Sequence, residues 1–238
     1  MQRRIPCSDG VIVFRSPAEG TLHSLVADHV VQGRVIFPGM AYLETARAAA
    51  AGSAVHGVFF LQPLAVEASG LMVECSVDGG RFQVRSSEDA VTFADAAVHC
   101  TGSVDQWEEL RQVDQASLRA RSCARPAHLR TVYDAFYAMG LHYGPKFRTL
   151  TKAWAGVDDA LSRLRVRMSL EGTKVHPADL DDALGLTGIQ SLAFPASGGS
   201  TETRLPYALD GALLQGESGN LWAVRRHSES PVLDLLRG

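Results

Sequence analysis

Apolar positions recur at two different spacings along the first hundred residues. Between residues 40 and 51 they return every three to four positions, which predicts a helix with one buried face. Four residues form this face: Met40, Leu43, Ala46 and Ala50. Glu44 and Arg47 fall outside it and are expected to reach solvent. Pro38 suits the start of such a helix and Gly52 its end.

In the rest of the first half, apolar and polar residues alternate, as is typical of β-strands. Asp78, Gly79 and Gly80 lie between two alternating runs, so residues 71–85 are predicted to form a hairpin. Further strands are predicted at residues 11–14, 58–66 and 91–100. The first half is therefore predicted to hold one helix and several antiparallel strands.

The second half repeats this order of elements without repeating the sequence. Residues 103–127 are polar and irregular, which favours a linker. A helix is predicted over residues 128–139, stopped by Gly140, and another is predicted to begin near Pro177. Further strands are predicted at residues 149–156, 160–168, 204–215 and 220–227.

Composition is that of a globular protein, with 46% apolar and 21% charged residues among 238. A net charge of −3 gives no reason to expect a nucleic acid or an anionic membrane as partner. The four cysteines are scattered, which favours free thiols in a reducing compartment: Cys7, Cys75, Cys100 and Cys123. No segment has the pattern of a signal peptide or a membrane span, so a cytoplasmic location is expected.

The first candidate site is the segment 29–39, which reads H-x-x-x-G-x-x-x-x-P-G. A histidine has an ordinary pKa of about 6.5, which suits a general base near neutral pH. Pro38 and Gly39 would begin a helix whose free N–H groups polarise a thioester carbonyl as enolate charge develops. Alternatively, His29 is a core histidine that is merely hydrogen-bonded.

The second candidate site is His176-Pro177-x-x-Leu180-Asp181. The helix dipole normally keeps a carboxylate at a helix start ionised, so Asp181 would need burial to raise its pKa and donate a proton. Alternatively, Asp181 is an ordinary solvated charge, as Asp179 and Asp182 beside it are expected to be.

The third candidate segment is residues 140–147, in which Tyr143, Gly144 and Pro145 form a rigid turn flanked by aromatic residues. This turn could wall a tunnel, or it could place Tyr143 and Phe147 in the core, and the two are compatible. The histidines show no metal-binding spacing, and the sequence has no phosphate-binding glycine loop and no G-x-S-x-G elbow.

In this order, the three segments resemble the motifs of dehydratase domains from modular polyketide synthases and animal-type fatty-acid synthases. The H-x-x-x-G-x-x-x-x-P, Y-G-P-x-F and H-P-x-x-L-D motifs are all matched in full. Residues 204–207 also resemble a later strand of the family. The resemblance spans roughly residues 10–227.

The resemblance implies an α+β double hotdog, in which two antiparallel sheets each wrap around a central helix. The first hotdog would cover residues 1–103, a linker residues 104–127, and the second hotdog residues 128–238. The active site would lie between the halves. His29 would take the α-proton of a β-hydroxyacyl thioester, and Asp181 would protonate the departing hydroxyl.

The resemblance also implies a set of substrate-binding residues: Gly33, Phe37, Pro38, Gly39, Leu141, Tyr143, Gly144, Pro145, Phe147, His176 and Pro177. No bound cofactor or metal is implied, because the phosphopantetheine arm of an acyl carrier protein would deliver the substrate. The carrier protein and neighbouring synthase domains are the expected partners.

Three departures from the family pattern bear on these expectations. Gly185 stands where the family usually carries Gln or His, one helical turn after Asp181, and Gly185 and Gly188 each weaken a helix by up to about 1 kcal/mol relative to Ala. The usual N-terminal H-P-L-L-G segment is not recognisable before Val11, which leaves a homodimer open. The chain is also short for the family.

Two alternative functions remain on the same scaffold. One is a cyclase, a pyran-forming domain or a double-bond isomerase, and the other is an inactive domain that supports the architecture of a synthase. Pro38 and Asp181 favour dehydration over isomerisation, whereas Gly185 favours the inactive domain.

Overall fold

The computed structural model describes residues 3–7, 10–51, 54–106, 115–121, 125–157, 159–186, 188–189, 205–213, 221–226 and 232–237. The helices are α1 (Thr21–Val26), α2 (Gly39–Ala50), α3 (Gln115–Arg121), α4 (Leu129–Ala138) and α5 (Pro177–Leu184). The strands of the first half are β1 (Arg3–Ile5), β2 (Ile12–Pro17), β3 (Val30–Val31), β4 (Arg34–Val35), β5 (Ala54–Phe60), β6 (Met72–Asp78), β7 (Arg81–Ser87) and β8 (Ala97–Asp105). The later strands are β9 (Arg125–Ala127), β10 (Leu150–Ala155), β11 (Ala160–Leu164), β12 (Ala208–Leu213), β13 (Leu221–Arg226) and β14 (Val232–Arg237). None of the helices in these ranges has the length and apolar character needed to cross a membrane.

The first sheet has seven antiparallel strands in the order β1-β2-β6-β7-β8-β5-β12, with β1 at one edge. The predicted hairpin is confirmed as β6 and β7, and both turn glycines have positive φ, 51° at Gly79 and 80° at Gly80, as a tight hairpin turn requires. The predicted helix is confirmed as α2. Its apolar face packs on the sheet in a core that includes Met40, Leu43, Ala46, Val73, Cys75 and Val84.

Two predicted strands of the first half have different bounds in the structure. Strand β5 ends at Phe60 because residues 64–66 pair with a different segment, through the Phe37 N–H to Leu64 and the Val66 N–H to Val35. The strand predicted over residues 91–100 begins at residue 97 instead, and residues 91–95 form a loop. There Val91 is exposed and Phe93 lies under the Arg15 guanidinium, 4.2 Å from the ring centre.

The second sheet has five antiparallel strands in the order β14-β13-β11-β10-β9. The helices predicted over residues 128–139 and from Pro177 are confirmed as α4 and α5. Strand β11 stops at Leu164, short of the predicted end. The core of this half includes Val132, Phe136, Phe147, Leu164, Ala183 and Ile189.

The predicted linker between the two halves contains more helix and strand than its sequence indicates, and the later part of the chain pairs in an unexpected place. The segment predicted as a linker contains the end of β8, helix α3 and strand β9, and β9 pairs with β10. Strand β12 returns from the second half to pair with β5 in the first sheet. The outer residues predicted for this strand and for β13 lie outside the described residues.

Glu44 ties the two halves together, and the expectation that it reaches solvent is wrong. Its side chain is buried and accepts hydrogen bonds from the Arg47 guanidinium at 2.7 and 2.8 Å. It also accepts one from the Lys174 backbone N–H at 2.6 Å. Because Lys174 lies three residues before the first residue of α5, this contact fixes α2 against the segment that leads into that helix.

Candidate active site

A two-residue hairpin turn positions His29. Strands β3 and β4 are joined by Gln32 and Gly33, whose φ values of 50° and 79° are the left-handed values that such a turn needs. The turn brings Ile36 back to His29, where the Ile36 N–H bonds to the His29 carbonyl at 3.1 Å. Gly33 therefore lies at the hairpin turn, and the H-x-x-x-G spacing covers the first arm of this hairpin and its turn.

The same hairpin fixes the tautomer of His29. Its Nδ1 lies 2.7 Å from the carbonyl oxygen of Ile36. A carbonyl can only accept, so Nδ1 carries the proton and the neutral ring keeps a free lone pair on Nε2. His29 is buried, so this Nε2 is a preorganised proton acceptor inside the protein.

A short backbone ladder joins the His29 segment to the second half. The Gln32 N–H bonds to Gly140 at 2.7 Å, the His142 N–H to Val30 at 2.7 Å, and the Gly144 N–H to Asp28 at 2.8 Å. This register places Leu141 opposite Val31 and His29 opposite Tyr143.

Aromatic side chains of the second half flank the imidazole of His29. The ring centres of His29 and Tyr143 are 5.0 Å apart, and Phe147 lies 5.2 Å from His29. Pro145 begins the 3₁₀ turn that ends at Phe147. Tyr143 and Phe147 are buried core residues that flank His29, and a tunnel beside them stays a prediction.

Helix α5 brings Asp181 to the imidazole. Its N-cap is His176, whose Nδ1 accepts the Ala178 N–H at 3.1 Å, and Pro177 is its first residue. Asp181 Oδ1 lies 3.6 Å from His29 Nε2, although the two residues are 152 positions apart in the sequence (181 − 29). The structure thus brings together the two residues that the resemblance singles out, one from each half.

The environment of Asp181 favours its protonated form. Burial raises the pKa of this carboxyl above its ordinary value, while the nearby His29 and a hydrogen bond from the Tyr143 hydroxyl act in the opposite direction. Because burial has the larger effect, Asp181 meets the condition for a proton donor at the start of a helix.

The expectation that Asp179 and Asp182 are solvated is wrong, because both are buried. Asp179 pairs with Arg167 at 2.7 Å. Asp182 accepts hydrogen bonds from the Thr149 hydroxyl at 2.7 Å and the Tyr133 hydroxyl at 3.1 Å, and burial raises its pKa to about 7. These contacts hold α5 in place around Asp181.

His176 is a fully buried helix cap. Burial, followed by the positive charges of Arg167, Lys146 and Arg165, lowers its pKa to about 3. It is therefore neutral near pH 7, and its contact in the structure is the cap of α5. Substrate contacts of His176 and Pro177 stay predictions.

The N-terminus of α2 follows the His29 hairpin. Phe37 is buried against Tyr42, with ring centres 4.8 Å apart, and Pro38 is the N-cap. Pro38 makes no side-chain cap to the first N–H groups of this helix. A Cβ at Gly39 would lie 3.3 Å from both Phe60 and Pro206, so the first turn packs closely here.

Phe136 fills the space beside Gly185, where the family usually carries Gln or His. A Cβ at Gly185 would lie 3.3 Å from the Phe136 ring, and one at Gly188 would lie 2.9 Å from it. Phe136 also packs edge-on against Tyr143, with ring centres 6.2 Å apart. The two glycines therefore make room for an aromatic ring that supports Tyr143, and Tyr143 supplies the hydrogen bond to Asp181.

Replacing Gly188 by alanine is expected to destabilise the protein, although alanine favours helix by up to about 1 kcal/mol. The new methyl would overlap Phe136, and overpacking of this kind costs about 1–3 kcal/mol. Denaturant unfolding checks the sign of the net change. The loss of stability should be smaller in a Phe136→Leu background. A Gly188→Ala protein more stable than the native one would contradict the packing argument.

Asp28 is the site residue that the motifs did not single out. It precedes His29 and bonds to the turn at residues 144–146 of the second half. Its position next to His29 was the only signal in the sequence.

Within the described part of the chain, no group of three or more His, Cys, Asp or Glu side chains could hold a metal ion.

Comparison with known proteins gives matches over both halves. Residues 1–89 match a family model described as "Polyketide synthase dehydratase domain", and residues 112–231 match one described as "Polyketide synthase dehydratase N-terminal domain". The chain is 32% identical to polyketide synthase ThaG of Burkholderia thailandensis over 235 residues and 30% identical to polyketide synthase PksN of Bacillus subtilis over 226 residues. These alignments cover 89% and 86% of this chain but only 4% of each relative.

Solved structures match the whole fold. The dehydratase domain of the CurK module of curacin polyketide synthase superposes with a TM-score of 0.82 at 20% identity, over 99% of this chain and 90% of that one. Two further matches, each with a TM-score of 0.82 at 19% identity over 99% of this chain, are described as inactive mutants of the CurK dehydratase, one His-to-Phe and one Asp-to-Asn. The predicted α+β double hotdog is confirmed.

Proposed function

Because the chain belongs to the polyketide synthase dehydratase family, we propose that it is a hydro-lyase that converts a β-hydroxyacyl thioester into the α,β-unsaturated thioester and water. The observation that carries this proposal is the pairing of His29 and Asp181. A preorganised basic nitrogen lies 3.6 Å from a buried carboxyl whose pKa is raised, and the two come from opposite halves.

His29 acts as the base in the proposed reaction. Nε2 takes the proton from the α-carbon, and the electrons of the broken C–H bond form the double bond as the bond to the β-oxygen breaks. The Nδ1 contact to Ile36 supports this role, because it holds the ring in the tautomer with a free Nε2. The same contact also stabilises the imidazolium that results.

Asp181 acts as the acid and gives its proton to the departing hydroxyl, which leaves as water. Burial supports this role by favouring the protonated carboxyl before the reaction. Afterwards His29 is protonated and Asp181 is ionised. Their short separation stabilises this buried ion pair, and transfer of the proton back from His29 to Asp181 restores the enzyme.

The uncapped N-terminus of α2 polarises the thioester carbonyl in the proposed complex. Pro38 at the N-cap gives its first N–H groups no side-chain acceptor, and the positive end of the helix dipole favours the developing enolate. Phe37, Pro38, Gly39, Leu141 and the turn at residues 143–147 are proposed to line the substrate. Gly33 shapes the hairpin behind His29.

The substrate is proposed to arrive on the phosphopantetheine arm of an acyl carrier protein, with no cofactor bound by the chain itself. The chain spans 4% of the first two relatives, both polyketide synthases, which supports a role beside other synthase domains. Cys7, Cys75 and Cys100 are free thiols, which supports a cytoplasmic location. The CurK His-to-Phe and Asp-to-Asn mutants, described as inactive, support a mechanism that depends on one histidine and one aspartate.

Intact-mass analysis of a β-hydroxyacyl carrier protein incubated with the domain tests the proposed function. Loss of one water from the acyl chain is the expected result, with the product resolved by chromatography from any isomer. An unchanged mass together with a shifted retention time would point to a cyclase or isomerase. An unchanged mass and retention time, over several acyl chain lengths and both hydroxyl configurations, would point to an inactive domain.

Replacing Tyr143 by phenylalanine is expected to move the limb of the pH–rate profile that Asp181 governs. Dehydration needs protonated Asp181, so one limb of the profile follows the pKa of this carboxyl. The Tyr143 hydroxyl lowers that pKa by stabilising the carboxylate, so its removal raises the pKa and shifts this limb to higher pH. A limb that stays in place or moves to lower pH in a folded Tyr143→Phe enzyme would contradict this account. Tyr137→Phe, at an exposed tyrosine, is the matched control.

A further inference from the structure

Asp28 connects the backbone of the catalytic histidine to the turn at residues 143–147. Its carbonyl accepts the Gly144 N–H at 2.8 Å, and its carboxylate accepts the Lys146 N–H at 2.7 Å. Gly144 is the N-cap of the 3₁₀ turn and has no side chain with which to cap it. Asp28 therefore supplies, from the other half of the molecule, the acceptor that this turn lacks.

A glycine is needed at position 144 because of the Asp28 carboxylate, and not because of the backbone conformation at that position. Its φ of −78° and ψ of 177° are extended values that any residue adopts. A Cβ at this position would nevertheless lie 2.5–2.8 Å from all three atoms of the Asp28 carboxylate group. The glycine of the Y-G-P-x-F segment thus makes room for this carboxylate.

The contact continues from the turn to the helix that carries Asp181. The Lys146 carbonyl accepts hydrogen bonds from Arg165 at 3.1 Å and Arg167 at 3.4 Å. Arg167 in turn pairs with Asp179 at 2.7 Å, two residues before Asp181 in α5. A continuous series of polar contacts therefore runs from the residue before the base to the first turn of the helix that holds the acid.

We propose that Asp28 is a positioning residue whose carboxylate, seated against Gly144 and on the Lys146 N–H, sets the placement of His29 relative to Asp181. The inference rests on the proposed dehydration. Tyr143 and Phe147, which flank the imidazole, belong to the turn that Asp28 holds. Loss of the carboxylate frees this turn, and a displacement near 1 Å costs a reaction of this kind up to about 10²-fold in rate.

Kinetics of three single variants test the positioning role. Asp28→Ala is expected to lower kcat about 10- to 100-fold with little change in KM, because the substrate still binds but the base is misplaced. Asp28→Asn should recover most of kcat, since its amide oxygen still accepts the Lys146 N–H. Asp89→Ala is the matched control, because Asp89 also accepts backbone N–H groups but only within its own exposed loop, and it should leave kcat unchanged.

A stability cycle tests the Gly144 contact independently of activity. Gly144→Ala is expected to lower Tm by about 2–4 °C in the native background. In the Asp28→Ala background the same change should have a clearly smaller effect, because the methyl then meets no carboxylate. Equal shifts in both backgrounds would overturn the contact.

Two kinetic outcomes separate failure of this inference from failure of the proposed function. An active native enzyme whose kcat is unchanged by Asp28→Ala would overturn the positioning role, and so would a loss of kcat that Asp28→Asn does not recover. A native domain that dehydrates no β-hydroxyacyl thioester would overturn the proposed function and with it this role.

Discussion

Replacing His29 by alanine is expected to lower kcat for dehydration about 10³-fold. Nε2 is the only nitrogen of this ring with a free lone pair, because Nδ1 donates to the Ile36 carbonyl. Tyr143, which is hydrogen-bonded to Asp181, cannot replace the base, because it is a phenol whose pKa is raised by burial. Single-turnover kinetics on a β-hydroxyacyl carrier protein measure the loss.

His29→Gln separates the chemical role of this residue from its structural one. A glutamine side chain can donate to Ile36 and fill much of the ring volume, but it cannot accept a proton at neutral pH. We therefore expect it to be as inactive as His29→Ala while keeping a Tm closer to that of the native protein. Activity within tenfold of the native enzyme in either folded variant would contradict the assignment of His29 as the base.

Replacing Asp181 by asparagine is expected to lower kcat by about 10²- to 10⁴-fold, because an amide cannot protonate the departing hydroxyl. The amide has nearly the same shape as the carboxyl and can accept the hydrogen bond from Tyr143, so substrate binding should change little. The loss should therefore appear in kcat and leave KM nearly unchanged. Asp95→Asn, at an aspartate with no described role in the site, is the matched control.

The same substitution is expected to stabilise the folded protein near neutral pH. Burial raises the pKa of Asp181 in the folded state above its unfolded value, so its contribution to stability is full at acidic pH and is lost as pH rises through the folded pKa. Asparagine has no such dependence. Thermal unfolding should show a higher Tm for Asp181→Asn at neutral pH and a difference that narrows as pH falls through the folded pKa and is smallest below the ordinary pKa of aspartate. A gap that widens on acidification would contradict the raised pKa.

Features that depend on neighbouring residues were predictable from the sequence. The spacing of Met40, Leu43 and Ala46 located α2, because a helix face needs only its own periodicity. The Asp-Gly-Gly turn located the β6–β7 hairpin for the same local reason. The H-x-x-x-G spacing marked a candidate base, and the structure shows that it covers the first arm and the turn of the hairpin that begins at His29.

Features that depend on distant residues were not predictable. Glu44 lies off the apolar face of α2, yet it is buried because the Lys174 N–H, 130 positions away, needs an acceptor there. Asp182 has the pattern of a solvated helix-start residue, but Thr149 and Tyr133 bring it into the core. Residue order alone gives no sign of such contacts, because the partners meet only after both sheets have formed.

The predicted ends of some strands were wrong for a related reason. Leu64 and Val66 continue the apolar run of β5 but pair with residues 35–37, at and just after the end of β4, because the chain leaves the first sheet after Phe60. Pairing between β12 and β5 across the two halves likewise leaves no local pattern. The sequence thus indicates which residues have apolar or catalytic character, and the topology decides which of them meet.

The site likewise combines residues that the sequence indicated with contacts that depend on the fold. The resemblance named both His29 and Asp181, but their separation of 3.6 Å depends on the ladder between residues 28–32 and 140–144. From the sequence alone, Gly185 favoured an inactive domain. In the structure Phe136 occupies the space beside it, and Tyr143 bonds to Asp181 instead.

The central claim, that His29 is the base and Asp181 the acid, is tested most directly by changing the leaving group. Acetate needs no proton to depart, so a β-acetoxyacyl carrier protein should be converted by Asp181→Asn at a rate close to that of the native enzyme, whereas His29→Ala should remain about 10³-fold slower. Intact mass follows the loss of acetic acid in both variants. Equal impairment of the two variants on this substrate, or faster elimination by His29→Ala, would contradict the assignment of the two roles.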